Sequence, residues 1–162
     1  MIENSTMKQE NLTFRQATVE DIPDLIDCRI RQLIDEGQSP DKDIAASNTE
    51  YFREYMESGQ MEEWVCEDSG RVIATGAILW FRFPPSFTNG EGLKAYITNI
   101  YTDPDYRGRG IAPAILKILE QRAREAGVCR IWLEASKWGK PVYKKYGFEE
   151  NDTILTIETE DK

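Results

Sequence analysis

The sequence predicts an α/β fold of the α+β type: one mixed, mostly antiparallel sheet with helices packed on both faces. Three observations predict it. Strand-like and helix-like stretches follow one another in the order β-α-α-β-β-β-α-β-α-β. A single strand–helix–strand crossover, from Tyr96 to Ala135, demands one parallel pair, whereas tight hairpins elsewhere demand antiparallel neighbours. A length of 162 residues without an internal repeat suits one core. Residues 1–11 read as a polar N-terminal tail lacking the apolar segment of a signal peptide, and residues 12–162 as a single domain.

The elements follow in order. Leu12–Arg15 alternates and reads as a first strand. Thr18 caps the next helix, with Asp21 on the capping-box spacing, and Ile22, Leu25, Ile26, Ile30, Leu33 and Ile34 recur on one face up to Glu36. Residues 37–48 form a polar connection, and 48–57 a helix with Tyr51, Phe52, Tyr55 and Met56 at helical spacing. Glu63–Asp68, Ser69-Gly70 and Arg71–Phe81 read as a hairpin, and Gly76 inside its second strand signals a bulge or a close approach. The Pro- and Gly-rich stretch 82–94 is a long connection whose Phe83 and Phe87 make it a candidate substrate lid. Tyr96–Thr102 is the central strand, Asp103-Pro104-Asp105 a turn, and Ile111–Ala126 a helix closed by Gly127. Strands at 130–135 and 153–159, with a short helix near 140–146, complete the chain.

The most informative stretch is Tyr106-Arg-Gly-Arg-Gly-Ile-Ala112, between the central strand and its helix. Gly108 and Gly110 let the backbone curl close to a ligand. The amides that open a helix lack intrahelical partners and sit at the positive end of its dipole, which makes the turn a phosphate cradle. Arg107 and Arg109 add cationic donors. No Walker-type Gly-x-x-x-x-Gly-Lys-Ser/Thr occurs, and the third glycine slot of a dinucleotide fingerprint is occupied by Pro113.

Arg107, Gly110 and Ala112 spell Arg-x-x-Gly-x-Ala, and further on Tyr143, Gly147 and Phe148 spell Tyr-x-x-x-Gly-Phe. Together, at a separation of one helix, one strand and one loop, these resemble the two signatures of the GNAT (GCN5-related N-acetyltransferase) superfamily. The resemblance covers essentially residues 12–158. It implies a GNAT-like sheet of about six to seven strands whose central parallel pair splays apart. It further implies that the backbone of Ile100, Tyr101 and Thr102 pairs with the pantetheine arm of acetyl-coenzyme A, and that Arg107, Gly108, Arg109, Gly110, Ile111 and Ala112 hold its pyrophosphate. Ser136 stands where the family often has a polar pantetheine contact, although Asn is the usual residue there. Tyr143 matches the general acid that protonates the departing thiolate.

The implied activity is transfer of an acetyl group to a primary amine by direct attack in a ternary complex. The acceptor is a small molecule or a peptide. A non-catalytic acyl-coenzyme A sensor, and an acyltransferase for protein N-termini or lysines, are the alternative readings. The general base is a water-relayed route with no assigned residue, because the chain has no histidine. The same lack excludes Ser-His, Cys-His and His-ligated metal chemistry, and no metal is expected. A net charge of −9 argues against nucleic-acid binding. No apolar run approaches the ~18 residues of a membrane span. Three cysteines without metal-type spacing fit a reducing, cytoplasmic setting, with Cys66 and Cys129 read as core residues. Family precedent makes a homodimer plausible.

Overall fold

A computed structural model describes residues 11–159. Strands β1 (Leu12–Gln16), β2 (Met61–Asp68), β3 (Arg71–Arg82), β4 (Leu93–Thr102) and β5 (Ile131–Trp132) form one sheet in that order. Neighbours are antiparallel except for β4 and β5, which run parallel around the crossover helix. Helices α1 (Ile22–Asp35) and α2 (Ala45–Glu57) pack on one face, and α3 (Ile111–Glu125) with α4 (Lys140–Tyr146) on the other. The polar tail expected over residues 1–11 lies, apart from Asn11, outside the described residues.

Alternation along the strands divides the core. Met61, Val65, Ala77 and Leu79 face Ile22, Leu25 and Phe52 from α1 and α2. Ile73, Ile78, Ala95 and Ile97 face Ile115, Leu116 and Leu119 from α3. The caps are mostly those expected. Asp21 Oδ2 accepts from the Thr18 amide at 2.7 Å, and a short 3-10 turn, Val19–Asp21, precedes α1. Gly127 (φ 74°) closes α3 in a Schellman arrangement, Val128 N donating to Ala123 O and Gly127 N to Arg124 O. Ser69 and Gly70, both with positive φ, make the tight β2–β3 turn.

Gly76 fulfils both of its readings. The β3–β4 register shifts between Thr75 and Ala77, so Gly76 lies opposite two residues of β4, Asn99 and Ile100. A Cβ there would stand 2.5 Å from Ile115 Cγ2 and 2.7 Å from Ile100 Cδ1.

Three expectations are corrected. Five strands, not six to seven, form the sheet among the described residues. Residues 153–159 form no strand: Ile154, Leu155 and Ile157 are exposed, and a strand without a partner ladder leaves its backbone groups to water. Its natural neighbour, β5, is reduced from the expected 130–135 to two residues. Cys129 is exposed rather than core, whereas Cys28 and Cys66 are buried. The 82–94 stretch is a hairpin tip, with Phe83 N donating to Gly92 O at 2.8 Å and Phe87 fully exposed.

Candidate active site

The parallel pair β4–β5 is joined only at Ala95–Ile131 and Tyr96–Trp132. Beyond Tyr96, β4 continues to Thr102 with no strand on that edge among the described residues. The expected splay is therefore present, and it leaves a row of β4 backbone groups available to pair with an extended ligand. The side chains of this run do not enter the gap together. Tyr101 is buried on the α1 face beside Arg31, and Ile100 packs into the α3 core. The backbone is what Ile100, Tyr101 and Thr102 offer.

Beyond Thr102 the chain turns through Pro104–Tyr106, a 3-10 turn capped by Asp103, whose side chain accepts from Asp105 N. Tyr106 Oη donates to Asp68 Oδ2 at 2.5 Å, tying the turn to the β2–β3 hairpin. Gly108 and Gly110 adopt φ of 76° and 78°, which residues with a Cβ rarely adopt. A Cβ at either would meet nothing within 4 Å, so the space over the turn is open. The first intrahelical bond of α3 runs from Ala114 N to Gly110 O. The Ile111 and Ala112 amides precede it and have no intrahelical acceptor, and Pro113 has no amide hydrogen.

The two arginines are anchored locally. Arg107 Nε donates to Thr102 O at 2.9 Å, its Nη2 pairs with Asp35 Oδ2 at 2.6 Å, and its guanidinium lies 5.8 Å from the Tyr101 ring centre. Arg109 Nη2 donates to Asp105 O at 2.7 Å and its guanidinium lies 4.9 Å over the Tyr106 ring. Both stay at the surface beside the glycines.

Tyr143 stands on α4, half-buried, its ring edge-on to Phe148 at 5.9 Å. Gly147 (φ 128°) ends the helix, and both Gly147 N and Phe148 N donate to Tyr143 O. Burial, then the nearby Glu36 carboxylate and Tyr96, push its phenol up to about 12, so it holds its proton at neutral pH. It lines a cleft of ≈1460 Å³ between α3, α4 and β5, together with Ile97, Leu116, Trp132, Leu133 and Phe148. Ser136 folds into the turn before α4, its Oγ accepting from Gly139 N at 3.1 Å. Lys140 and Lys144 both pair with Glu150, and Glu134 is exposed. No group of side chains suited to hold a metal ion occurs among the described residues.

One acid of this neighbourhood escaped the sequence reading. Glu63 on β2 is 1% exposed, and Asn99 Nδ2 donates to its Oε2 at 3.0 Å. Its available signal was position: in Met61-Glu62-Glu63-Trp64-Val65 it holds the inward register of the strand.

The chain belongs to the acetyltransferase (GNAT) family, which it matches over residues 28–148. It is similar to a glucosamine 6-phosphate N-acetyltransferase of Trypanosoma brucei brucei, 26% identical over 57% of this chain and 60% of that protein, so the match spans less than two thirds of that relative. It is 29% identical to YjgM, an uncharacterized N-acetyltransferase of Escherichia coli (strain K12), over 87% of this chain and 84% of that one. Among solved structures it resembles a predicted acetyltransferase with acetyl-CoA from Clostridium acetobutylicum. The TM-score is 0.87 and the identity 45%, covering 91% of this chain and 96% of that one. No described helix is long and apolar enough to cross a membrane.

Proposed function

We propose that the chain is an acetyl-coenzyme A-dependent N-acetyltransferase acting on a primary amine by direct attack in a ternary complex. The observation that carries this reading is a juxtaposition along the chain: an unpaired β4 edge runs directly into a two-glycine turn that opens a helix. An extended arm on that edge would end with its pyrophosphate at residues 107–112. A relative whose crystals hold acetyl-CoA, at 45% identity, supports the ligand. The named substrate of the trypanosomal relative carries an amine, which supports the acceptor class.

In this reading the Ile100–Thr102 backbone aligns the thioester, and holding it near the amine supplies several kcal/mol of the acceleration. The amine nitrogen forms a bond to the acetyl carbon, and the carbon–sulphur bond breaks. Tyr143 passes its phenolic proton to the leaving sulphur, whose basicity rises in a desolvated gap. The proton lost by the amine leaves through water and restores the phenol.

Calorimetric titration with acetyl-coenzyme A, with NADH and ATP as controls, tests the reading. Selective binding that disappears in Arg107→Glu is the expected result. Absence of binding to a folded wild-type protein overturns it.

A further inference from the structure

Glu63 is a costly residue in an unusual place. A carboxyl group removed from water is penalised unless its oxygens find partners. Here Oε2 accepts from Asn99, while Oε1 is buried without a hydrogen-bond partner. An apolar side chain of similar size between Met61 and Val65 would satisfy the α1/α2 core better. What the acid touches accounts for its presence.

Asn99 is one of two non-glycine residues with positive φ among those described, at 56°, and the other sits in the β2–β3 turn. It stands mid-strand, at the bulge that faces Gly76. Ile97 lies in the α3 core, so strict alternation would send Asn99 there too. The bulge reverses the phase instead. Asn99 turns to the α1/α2 face and meets Glu63, and Ile100 turns into the α3 core. Thr75 Oγ1 donates to the Asn99 carbonyl at 2.8 Å. Three buried polar side chains, from β2, β3 and β4, thus fix one irregular peptide, on the part of β4 that has no strand partner at the gap.

We propose that Glu63 is a positioning residue for acyl transfer: through Asn99 it holds the β4 bulge in the register that presents the Ile100 amide to the thioester carbonyl. This rests on the acetyl-transfer reading above. The amide serves the developing oxyanion, a role in which small displacements are expensive. Glu63 itself touches neither reactant.

The test uses acetyl-coenzyme A carrying an isotope-labelled thioester carbonyl. Its stretch is read by infrared difference spectroscopy when bound to the full chain, and affinity is read by calorimetry in the same samples. In the wild type the stretch moves to lower frequency on binding. In Glu63→Leu that movement is lost while affinity is retained. Glu63→Gln, whose amide oxygen accepts from Asn99 in the same way, recovers it. Asn99→Gly, which tolerates the positive φ but cannot reach Glu63, behaves like Glu63→Leu and carries the test if the leucine variant does not fold. A wild-type shift preserved in both Glu63→Leu and Asn99→Gly overturns the proposal, as does a bound carbonyl that never shifts. A glutamine variant as defective as leucine also overturns it, because the role would then belong to the proton and not to the hydrogen bond. Failure of the wild type to bind acetyl-coenzyme A instead overturns the acetyl-transfer reading on which the proposal stands.

Discussion

The two halves of the candidate site are built in opposite ways. The proposed cradle is exposed over residues 107–110, cationic and assembled from neighbours: a glycine pair, a helix start and arginines that mostly bond within five residues. The middle of β4 is buried and held by residues 24 and 36 positions away, Thr75 and Glu63. A phosphate needs charge and open amides, which local backbone geometry provides in water. A reacting carbonyl needs an amide fixed to a fraction of an ångström, which only a desolvated core provides.

The difference can be broken most strongly at the proposed proton donor. Tyr143→Phe keeps the ring against Phe148 and removes only the hydroxyl, so thiol release is expected to fall by about 10²-fold or more with acetyl-coenzyme A affinity nearly intact. Equal turnover would make Tyr143 a packing residue.

Gly76→Ala attacks the buried half through packing. The added Cβ collides with Ile115 and Ile100 at 2.5 and 2.7 Å, and overpacking of this kind costs about 1–3 kcal/mol. A fall in Tm measured by calorimetry is expected. An unchanged Tm would mean that α3 yields freely, against the reading of a rigid half.

Glu63 gives the buried half a pH signature that the cradle lacks. Burial raises its carboxyl from 4.5 to about 8, opposed by the hydrogen bond from Asn99 and by Arg29 on α1. Cys28 on α1 and Tyr51 on α2 are its other titratable neighbours. The folded chain binds this proton more tightly than the unfolded chain. Stability therefore falls as pH rises from about 4.5 to about 8, and the penalty is absent below that window. Glu63→Gln should flatten this slope in urea unfolding measured across the range. An unaltered slope would mean that another group carries it.

The smallest effect sharpens the exposed half. Asp35 holds Arg107 in a half-exposed ion pair, with which a phosphate would compete in the proposed cradle. Such pairs contribute about 0.2–1 kcal/mol, so Asp35→Asn should tighten acetyl-coenzyme A binding by no more than about fivefold. Weaker binding would show that Asp35 orients the arginine instead of restraining it.

The same division governs what could be read in the sequence. The two-glycine turn before α3, the Ser69-Gly70 hairpin, the Gly127 cap and the irregularity at Gly76 were legible because each depends on residues close together. The meeting of Glu63 with Asn99 was not, because it depends on an extra residue in β4 that reverses the facing of everything after it. The tie between Arg107 and Asp35 spans 72 positions and left no local trace. The last expected strand failed for a related reason. The β-branched residues at 153–159 make a segment that suits a sheet, while pairing requires an edge elsewhere, and β5 contributes only two residues.

That extra residue works like a frameshift in a message. Before it, even-numbered positions of β4 such as Tyr96 look toward α1 and α2; after it, odd-numbered ones do. Tyr101 is thereby delivered to α1, next to Arg31 and under Arg107. Deleting Asn99 would leave Thr98 opposite Ala77 and Tyr101 opposite Thr75 in unbroken alternation, so Ile100 and Tyr101 would keep their faces, and what would go is the irregular peptide opposite Gly76 with its tie to Glu63. Exchanging one residue for another in β4 alters a side chain, whereas losing the extra one removes the irregular stretch of backbone itself.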